Sequence, residues 1–252
     1  MKRISLFCGL VTGMFSTSYA AADASADKVV ADVRDLLKTV KQQYVYLPQK
    51  KTDWACLESY YVDKAQSTSG RHDAVLLMEL LLDEFYDSHM TLNTNVADSY
   101  RLNAPIFVQA LDDRFVIKDQ WRNQVSNFTH NLTQNLLDAE VLSFNGKSMD
   151  QMINAFPVQC VDKTDAEARN WFANKVLAGR YDQPRALKLK LKNGELIDLD
   201  LDALEYKKHT EVATLEINND VAVISINDSL GNNALIKAFD QMMDQLNAQQ
   251  KR

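Results

Sequence analysis

Apolar residues recur at helical spacing in the first third of the chain. Over residues 26–43 they alternate with polar residues in the rhythm of an amphipathic helix, at Val29, Val30, Val33, Leu36, Leu37 and Val40. Two further helices are predicted over residues 54–65 and 72–86, the second with a wide apolar face. Residues 27–95 therefore predict a small helical bundle.

The pattern changes to short β-rich runs after Arg101. Residues 106–110 and 114–118 predict a hairpin, and a strand over 141–144 ends at the turn pair Asn145-Gly146. Helices are predicted over 149–156 and 165–177, before a second hairpin that turns at Asn193-Gly194. Residues 100–205 thus predict a unit that mixes strands and helices.

A third region covers residues 210–252. The runs ATLEI and VAVISI flank Asn218-Asn219-Asp220 and predict a hairpin, which an amphipathic helix over 232–246 follows. Two strands and one helix cannot cover both faces of a sheet, so this region is expected to be the beginning of an unfinished domain. The fold class predicted for the chain is α+β.

The first twenty residues have the three parts of a secretory leader. Lys2 and Arg3 precede an apolar run over residues 4–15, and the small-residue exit Ser18-Tyr19-Ala20 follows, so cleavage is expected after Ala20. The alternative is a retained anchor, although the run is short for a bilayer core about 30 Å thick. The processed chain is expected to be periplasmic or secreted.

Charge and composition exclude several classes of partner. Loss of the leader would change the formal charge from −6 to −8, since it carries two basic residues and no acid. No nucleic-acid partner is expected, because phosphate binding needs a basic stripe. No later apolar run is long enough for a membrane span, so the mature chain is expected to be soluble. The glycines form no phosphate-binding motif, and His72, His130 and His209 lack metal-ligand spacing, so no cofactor or metal is expected.

Two cysteines, Cys56 and Cys160, would remain after processing. In an oxidising compartment they can pair, and the bridge would close a loop of about 100 residues, worth on the order of 4 kcal/mol in the chain-entropy model. The alternative is two separate buried thiols, because free cysteine is often buried.

Three segments, taken in their order along the chain, carry a resemblance to a known family: LLDEFYDSHMTL, AEVLSFNGKSMDQMI and NDVAVISINDSLGNNALIKAFDQMMDQL. Together they resemble the serine-peptidase family that contains the C-terminal processing (tail-specific) proteases and the tricorn core. The first is similar to that family's helix-to-strand turn with an Asp-x-His pattern. The second resembles its PDZ-like insert, and the third looks like the opening strand pair and first helix of its catalytic α/β domain. The resemblance spans about residues 30–248.

The resemblance implies an exported serine peptidase that acts on peptides or proteins. It implies that His89 is the general base, with Ser88 beside it in the tetrad of the Ser-His branch. In that family the nucleophilic serine follows the next strand, in a glycine-rich turn, so it is not expected within residues 1–252 and the chain alone is not expected to hydrolyse peptides. Ala139-Glu140 replaces the usual Gly-Asp, and no glycine-rich carboxylate-binding loop precedes Ile106, so capture of a peptide terminus is not expected.

Two alternatives stay open. Spacing alone favours His89 as a residue that hydrogen-bonds loose carbonyls at a helix end, whereas the family resemblance favours a catalytic base. For the whole chain, the alternative function is a non-catalytic periplasmic module that holds a peptide or protein by strand addition.

Overall fold

The computed structural model describes residues 25–120, 125–127, 135–203, 205–206, 210–228 and 232–250. The predicted leader, residues 1–20, lies outside these ranges, as do His130 and His209. The described residues form an α+β fold, with helices and antiparallel strands in largely separate parts of the chain. Of the helices described, none combines the length and the apolar character that crossing a membrane requires.

The first three helices form a bundle. They are α1 (Ala26–Gln43), α2 (Trp54–Gln66) and α3 (Arg71–Asp83). Helix α2 begins where the Asp53 carboxylate accepts a hydrogen bond from the Cys56 N–H, a common N-cap arrangement. The apolar faces meet in one core, which includes Val29, Val33, Leu37, Val40, Leu57, Tyr61, Leu81 and Phe85.

Helix α3 ends three residues before the predicted boundary at residue 86. Tyr86 has φ of +39°, a left-handed backbone conformation that does not continue an α-helix. Phe85 and Tyr86 are nevertheless buried, so the apolar pattern runs on beyond the helical backbone. The spacing of apolar residues overestimates the length of this helix, because it shows which residues are buried and not where the helical backbone ends. The residues after Asp83 form a turn.

A five-stranded antiparallel sheet forms the middle of the chain. The strands of the region are β1 (Ile106–Leu111), β2 (Arg114–Gln120), β3 (Val125–Asn127), β4 (Glu140–Phe144), β5 (Ala186–Lys190), β6 (Leu196–Asp200) and β7 (Glu205–Tyr206). The order across the sheet is β1-β2-β4-β5-β6, so β1 is an edge strand. Strands β3 and β7, which the sequence pattern does not predict, pair separately with each other.

Two helices complete this region, α4 (Met149–Asn154) and α5 (Ala166–Ala178). Helix α4 begins at a capping box between Ser148 and Gln151 and ends two residues before the predicted boundary at residue 156. The helices and the sheet share a second core, with Ile117, Leu136, Phe172, Ala173, Leu177, Leu189 and Leu201 all fully buried.

The bundle and the sheet region are joined covalently by a Cys56–Cys160 disulfide with a Cα–Cα distance of 5.5 Å. The Asp53 N–H donates to the Cys160 carbonyl at 2.9 Å. Beside them, the Glu84 carboxylate accepts hydrogen bonds from the backbone N–H groups of Gln159 and Cys160. The end of α3 is therefore fixed against the segment that carries Cys160.

The last described region contains β8 (Ala213–Asn218), β9 (Val221–Ile226) and α6 (Asn233–Gln250). The two strands pair as the predicted hairpin, from Ala213 opposite Ile226 to Asn218 opposite Val221. Many large apolar side chains of this region are exposed, namely Ile217, Val221, Val223, Ile226, Ile236, Phe239 and Met243.

Candidate active site

The turn that follows α3 carries the histidine singled out from the sequence. The Met90 N–H donates to the Asp87 carbonyl at 3.0 Å, which closes a turn over residues 87–90. The side chain of His89 is 95% exposed, so the turn presents the imidazole to solvent. Within the described residues, the imidazole forms a hydrogen bond with the Asp87 carboxylate and none with a helix carbonyl.

Asp87 holds His89 at two points. Its Oδ1 lies 2.9 Å from the His89 backbone N and 2.9 Å from the ring Nδ1. A carboxylate on one ring nitrogen selects the neutral tautomer with the proton on Nδ1 and leaves the lone pair on Nε2. Nε2 forms no hydrogen bond with any of the described residues, so this nitrogen is available as a proton acceptor.

Asp87 is itself fixed from the bundle. The Tyr44 hydroxyl, at the C-terminal end of α1, donates to Asp87 Oδ2 at 2.5 Å. Burial acts against ionisation of Asp87, but the hydrogen bonds from Tyr44 and His89 outweigh it and lower the pKa of the carboxyl. Asp87 is therefore a carboxylate at neutral pH, which is the state needed to stabilise an imidazolium.

A cleft of about 550 Å³ opens beside this turn. Its walls are the turn, the residues leading into β1, and one face of α5 that includes Asn170, Trp171 and Asn174. Phe107 of β1 and Tyr46 also line it and are about half exposed. Ser88 and His89 both lie at this cleft, so the imidazole faces a space large enough for part of a peptide.

The charged groups that line the cleft are mostly paired. Lys50 Nζ lies 3.0 Å from Glu167 Oε1, and Lys175 Nζ lies 3.0 Å from Asp83 Oδ1. Burial raises the pKa of Asp83 to about 7 despite the nearby Lys175 ammonium. Asp83 Oδ2 is buried and has no hydrogen-bond partner within the described ranges. Asp83 is therefore a buried acidic residue that pairs with Lys175, whereas Asp87 is the carboxylate that contacts the imidazole.

The structure brings both predicted site residues, Ser88 and His89, to one exposed turn at the cleft, and their catalytic roles stay a prediction. It adds Asp87 and Tyr44, which the sequence analysis did not assign. The signal for Asp87 was present in the Asp-x-His spacing. Tyr44 is 43 residues from Asp87, and no local pattern joins the two.

His72, the other described histidine, is a surface residue between two carboxylates. Its Nδ1 lies 2.9 Å from Asp73 Oδ1 and its Nε2 lies 2.7 Å from Asp98 Oδ1. These hydrogen bonds raise its pKa. Over the part of the chain that is described, no group of three or more histidine, cysteine or acidic side chains could hold a metal ion.

The fold and the turn define an α+β protein with a carboxylate-oriented histidine at the edge of a cleft. No family model matches the chain. A curated relative is the adenine phosphoribosyltransferase of Mycoplasma genitalium, 27% identical over 152 residues, which covers 55% of this chain and 83% of that protein.

Among solved structures, the chain is similar to mature CPAF, a serine protease, with a TM-score of 0.42 and 14% identity over 72% of this chain. For mature CPAF complexed with lactacystin the TM-score is 0.42 and the identity 12%. The chain spans only about a third of the length of these proteins, 34% and 35%. The fold relation is weak.

Proposed function

We propose that this chain carries the general base of an exported serine peptidase, with His89 as the residue that accepts and returns the proton. The observation that supports this most directly is the Asp87–His89 contact at the cleft, with Nε2 directed away from the carboxylate. A base for a serine hydroxyl needs a free ring nitrogen, a partner on the other nitrogen and space for substrate. The turn after α3 has all three.

In the proposed mechanism, His89 Nε2 takes the proton from a serine hydroxyl as its oxygen attacks the peptide carbonyl carbon. Asp87 stabilises the imidazolium that forms and keeps the ring in its tautomer. The same Nε2–H then donates its proton to the leaving amine, and the acyl group is released by water in the reverse sequence of proton transfers. Ser88 is proposed to stand beside the base as the neighbouring hydroxyl of the site.

The proposal places the nucleophilic serine and the oxyanion donors on polypeptide outside residues 25–250. Two features support an added partner segment. Among the described residues the β8–β9 hairpin forms a sheet of two strands, and large apolar side chains are exposed on it and on α6, as they are at many interaction sites. A segment that extends this sheet and also packs on its faces would cover those side chains.

The proposed compartment is periplasmic or extracellular, after cleavage following Ala20. The Cys56–Cys160 disulfide supports an oxidising environment, since disulfides rarely persist in a reducing cytosol.

The test is hydrolysis of fluorescent casein, with labelling by a fluorophosphonate probe, by the product of the whole coding region, including any sequence after Arg252. His89→Ala should lower the rate by at least about 10³-fold, because it removes the general base. His72→Ala is the matched control, since it removes an exposed histidine that is also paired with carboxylates. Residues 21–252 alone should show neither hydrolysis nor labelling.

Three results would contradict the proposal. The first is a whole product that neither cleaves casein nor takes the probe. The second is an active product in which His89→Ala and His72→Ala behave alike. Activity of residues 21–252 alone would show that the nucleophile has been placed in the wrong part of the protein.

A further inference from the structure

Strand β1 is the edge strand of the five-stranded sheet, and α5 runs beside it. An edge strand normally offers a row of unpaired N–H and C=O groups. Strand-addition domains bind an extended peptide by pairing its backbone with such an exposed edge. Whether this edge can accept a peptide depends on what its outward-facing backbone groups already contact.

Two asparagine side chains of α5 form hydrogen bonds with three of those groups. Asn174 Oδ1 accepts from the Val108 N–H at 2.9 Å, and Asn174 Nδ2 donates to the Val108 carbonyl at 2.9 Å. Two residues further along β1, the Ala110 N–H donates to Asn170 Oδ1 at 3.0 Å. Asn174 Nδ2 also donates to the Asn170 carbonyl at 2.8 Å, which ties the two positions together.

The spacing of the asparagines matches the strand. Residues four apart lie on one face of a helix, about 6 Å apart. Residues two apart on a strand share one edge and lie about 6.6 Å apart. A side-chain amide carries both a donor and an acceptor, so Asn174 makes with Val108 the pair of hydrogen bonds that a residue of a neighbouring strand would make.

We infer that α5 closes the β1 edge at Val108 and Ala110, where Asn170 and Asn174 take the place that the backbone of an added peptide strand would occupy. A peptide can pair with Val108 and Ala110 only if the helix leaves. Displacement is unfavourable because α5 is part of the core, with Ala168, Phe172, Ala173, Val176 and Leu177 at most 2% exposed. Strand addition at Val108 and Ala110 is thereby excluded as a binding mode, independently of the role of His89.

The inference is tested by amide exchange and peptide titration of the ¹⁵N-labelled protein. In the unmodified protein the Val108 and Ala110 amides should exchange at least about 100-fold more slowly than in an unstructured chain. A synthetic Thr-Val repeat peptide with a free C-terminus should leave both resonances unchanged. Asn174→Ala should accelerate exchange at Val108 by about tenfold or more, because this N–H loses its acceptor.

Asn154→Ala, an exposed asparagine at the end of α4, is the matched control and should leave both amides protected. The inference is overturned if either amide is unprotected in the unmodified protein, or if the peptide shifts both resonances saturably. Unchanged exchange at Val108 in Asn174→Ala would also overturn it. The first two measurements need no variant, so the inference stays testable even if Asn174→Ala does not fold.

Discussion

Glu84 is the residue whose loss should most directly uncouple the end of α3 from the sheet region. Its carboxylate is fully buried and accepts from the Gln159 N–H at 2.6 Å, the Cys160 N–H at 2.9 Å and the Tyr61 hydroxyl at 2.7 Å. Burial raises the pKa of Glu84, while these hydrogen bonds oppose the rise. The substitution Glu84→Ala removes the shared acceptor of all three donors.

The expected loss of stability depends on which donors are left without an acceptor. The Tyr61 hydroxyl can still donate to the Leu80 carbonyl, which lies 3.1 Å away, so losing its hydrogen bond to Glu84 should cost little stability. The Cys160 N–H is buried and the Gln159 N–H partly so, and a stranded buried donor costs about 1–3 kcal/mol. Glu84→Ala should therefore destabilise the protein by about 3 kcal/mol, and Glu84→Gln by about half as much, because the amide oxygen remains an acceptor.

Urea unfolding followed by tryptophan fluorescence measures the change. Asp63→Ala, which removes an exposed carboxylate of α2, is the control and should stay within about 0.5 kcal/mol of the unmodified protein. A loss below about 1 kcal/mol for Glu84→Ala would refute the reasoning, since it would mean that water or other acceptors replace the carboxylate. A loss for Glu84→Gln as large as that for Glu84→Ala would show that charge, not acceptor number, decides the effect.

Two further predictions concern the contact between the helical bundle and the sheet region. Replacing Cys56 and Cys160 by alanine should lower the free energy of unfolding by about 4–5 kcal/mol, because the disulfide closes a sequence separation of 104 residues; equal urea midpoints with and without the bridge would contradict this. Asp83 has a folded-state pKa of about 7, so between about pH 4 and pH 7 the unfolded chain ionises while the folded carboxyl stays protonated, and stability should fall as pH rises. The decrease is at most about 4 kcal/mol, and Asp83→Asn should remove most of it; an unfolding free energy that rises over this range in the unmodified protein would contradict the assignment.

The sequence predicts most of the elements because local patterns specify them. The amphipathic repeat of α1 and the alternation in β5 and β6 each match the structure closely. The misplaced ends have a common cause. Phe85 and Phe156 lie beyond the last helical residue of α3 and α4 but are buried all the same, so a pattern of apolar positions does not show where the helical backbone stops.

Contacts between distant residues account for what the sequence does not predict. The Asp87–His89 pair could be anticipated, because the two residues are neighbours in a turn. The hydroxyl of Tyr44 reaches Asp87 only because the segments that follow α1 and α3 are in contact, as the Tyr44–Phe85 ring contact also shows. The asparagines of α5 look like ordinary polar residues of a helix, and their role follows only from the position of β1 beside them.

The residues at the end of α3 link the two cores of the protein to the candidate base. Asp83 pairs with Lys175 of α5, and Glu84 holds the segment next to the disulfide. Asp87, three residues further on, is fixed by Tyr44 from α1 and holds His89. Because Asp83 and Glu84 are buried and bonded to the sheet region, the turn cannot shift relative to the cleft without breaking buried polar contacts. If His89 is a catalytic base, a substitution such as Glu84→Gln should therefore reduce activity even though Glu84 does not line the cleft.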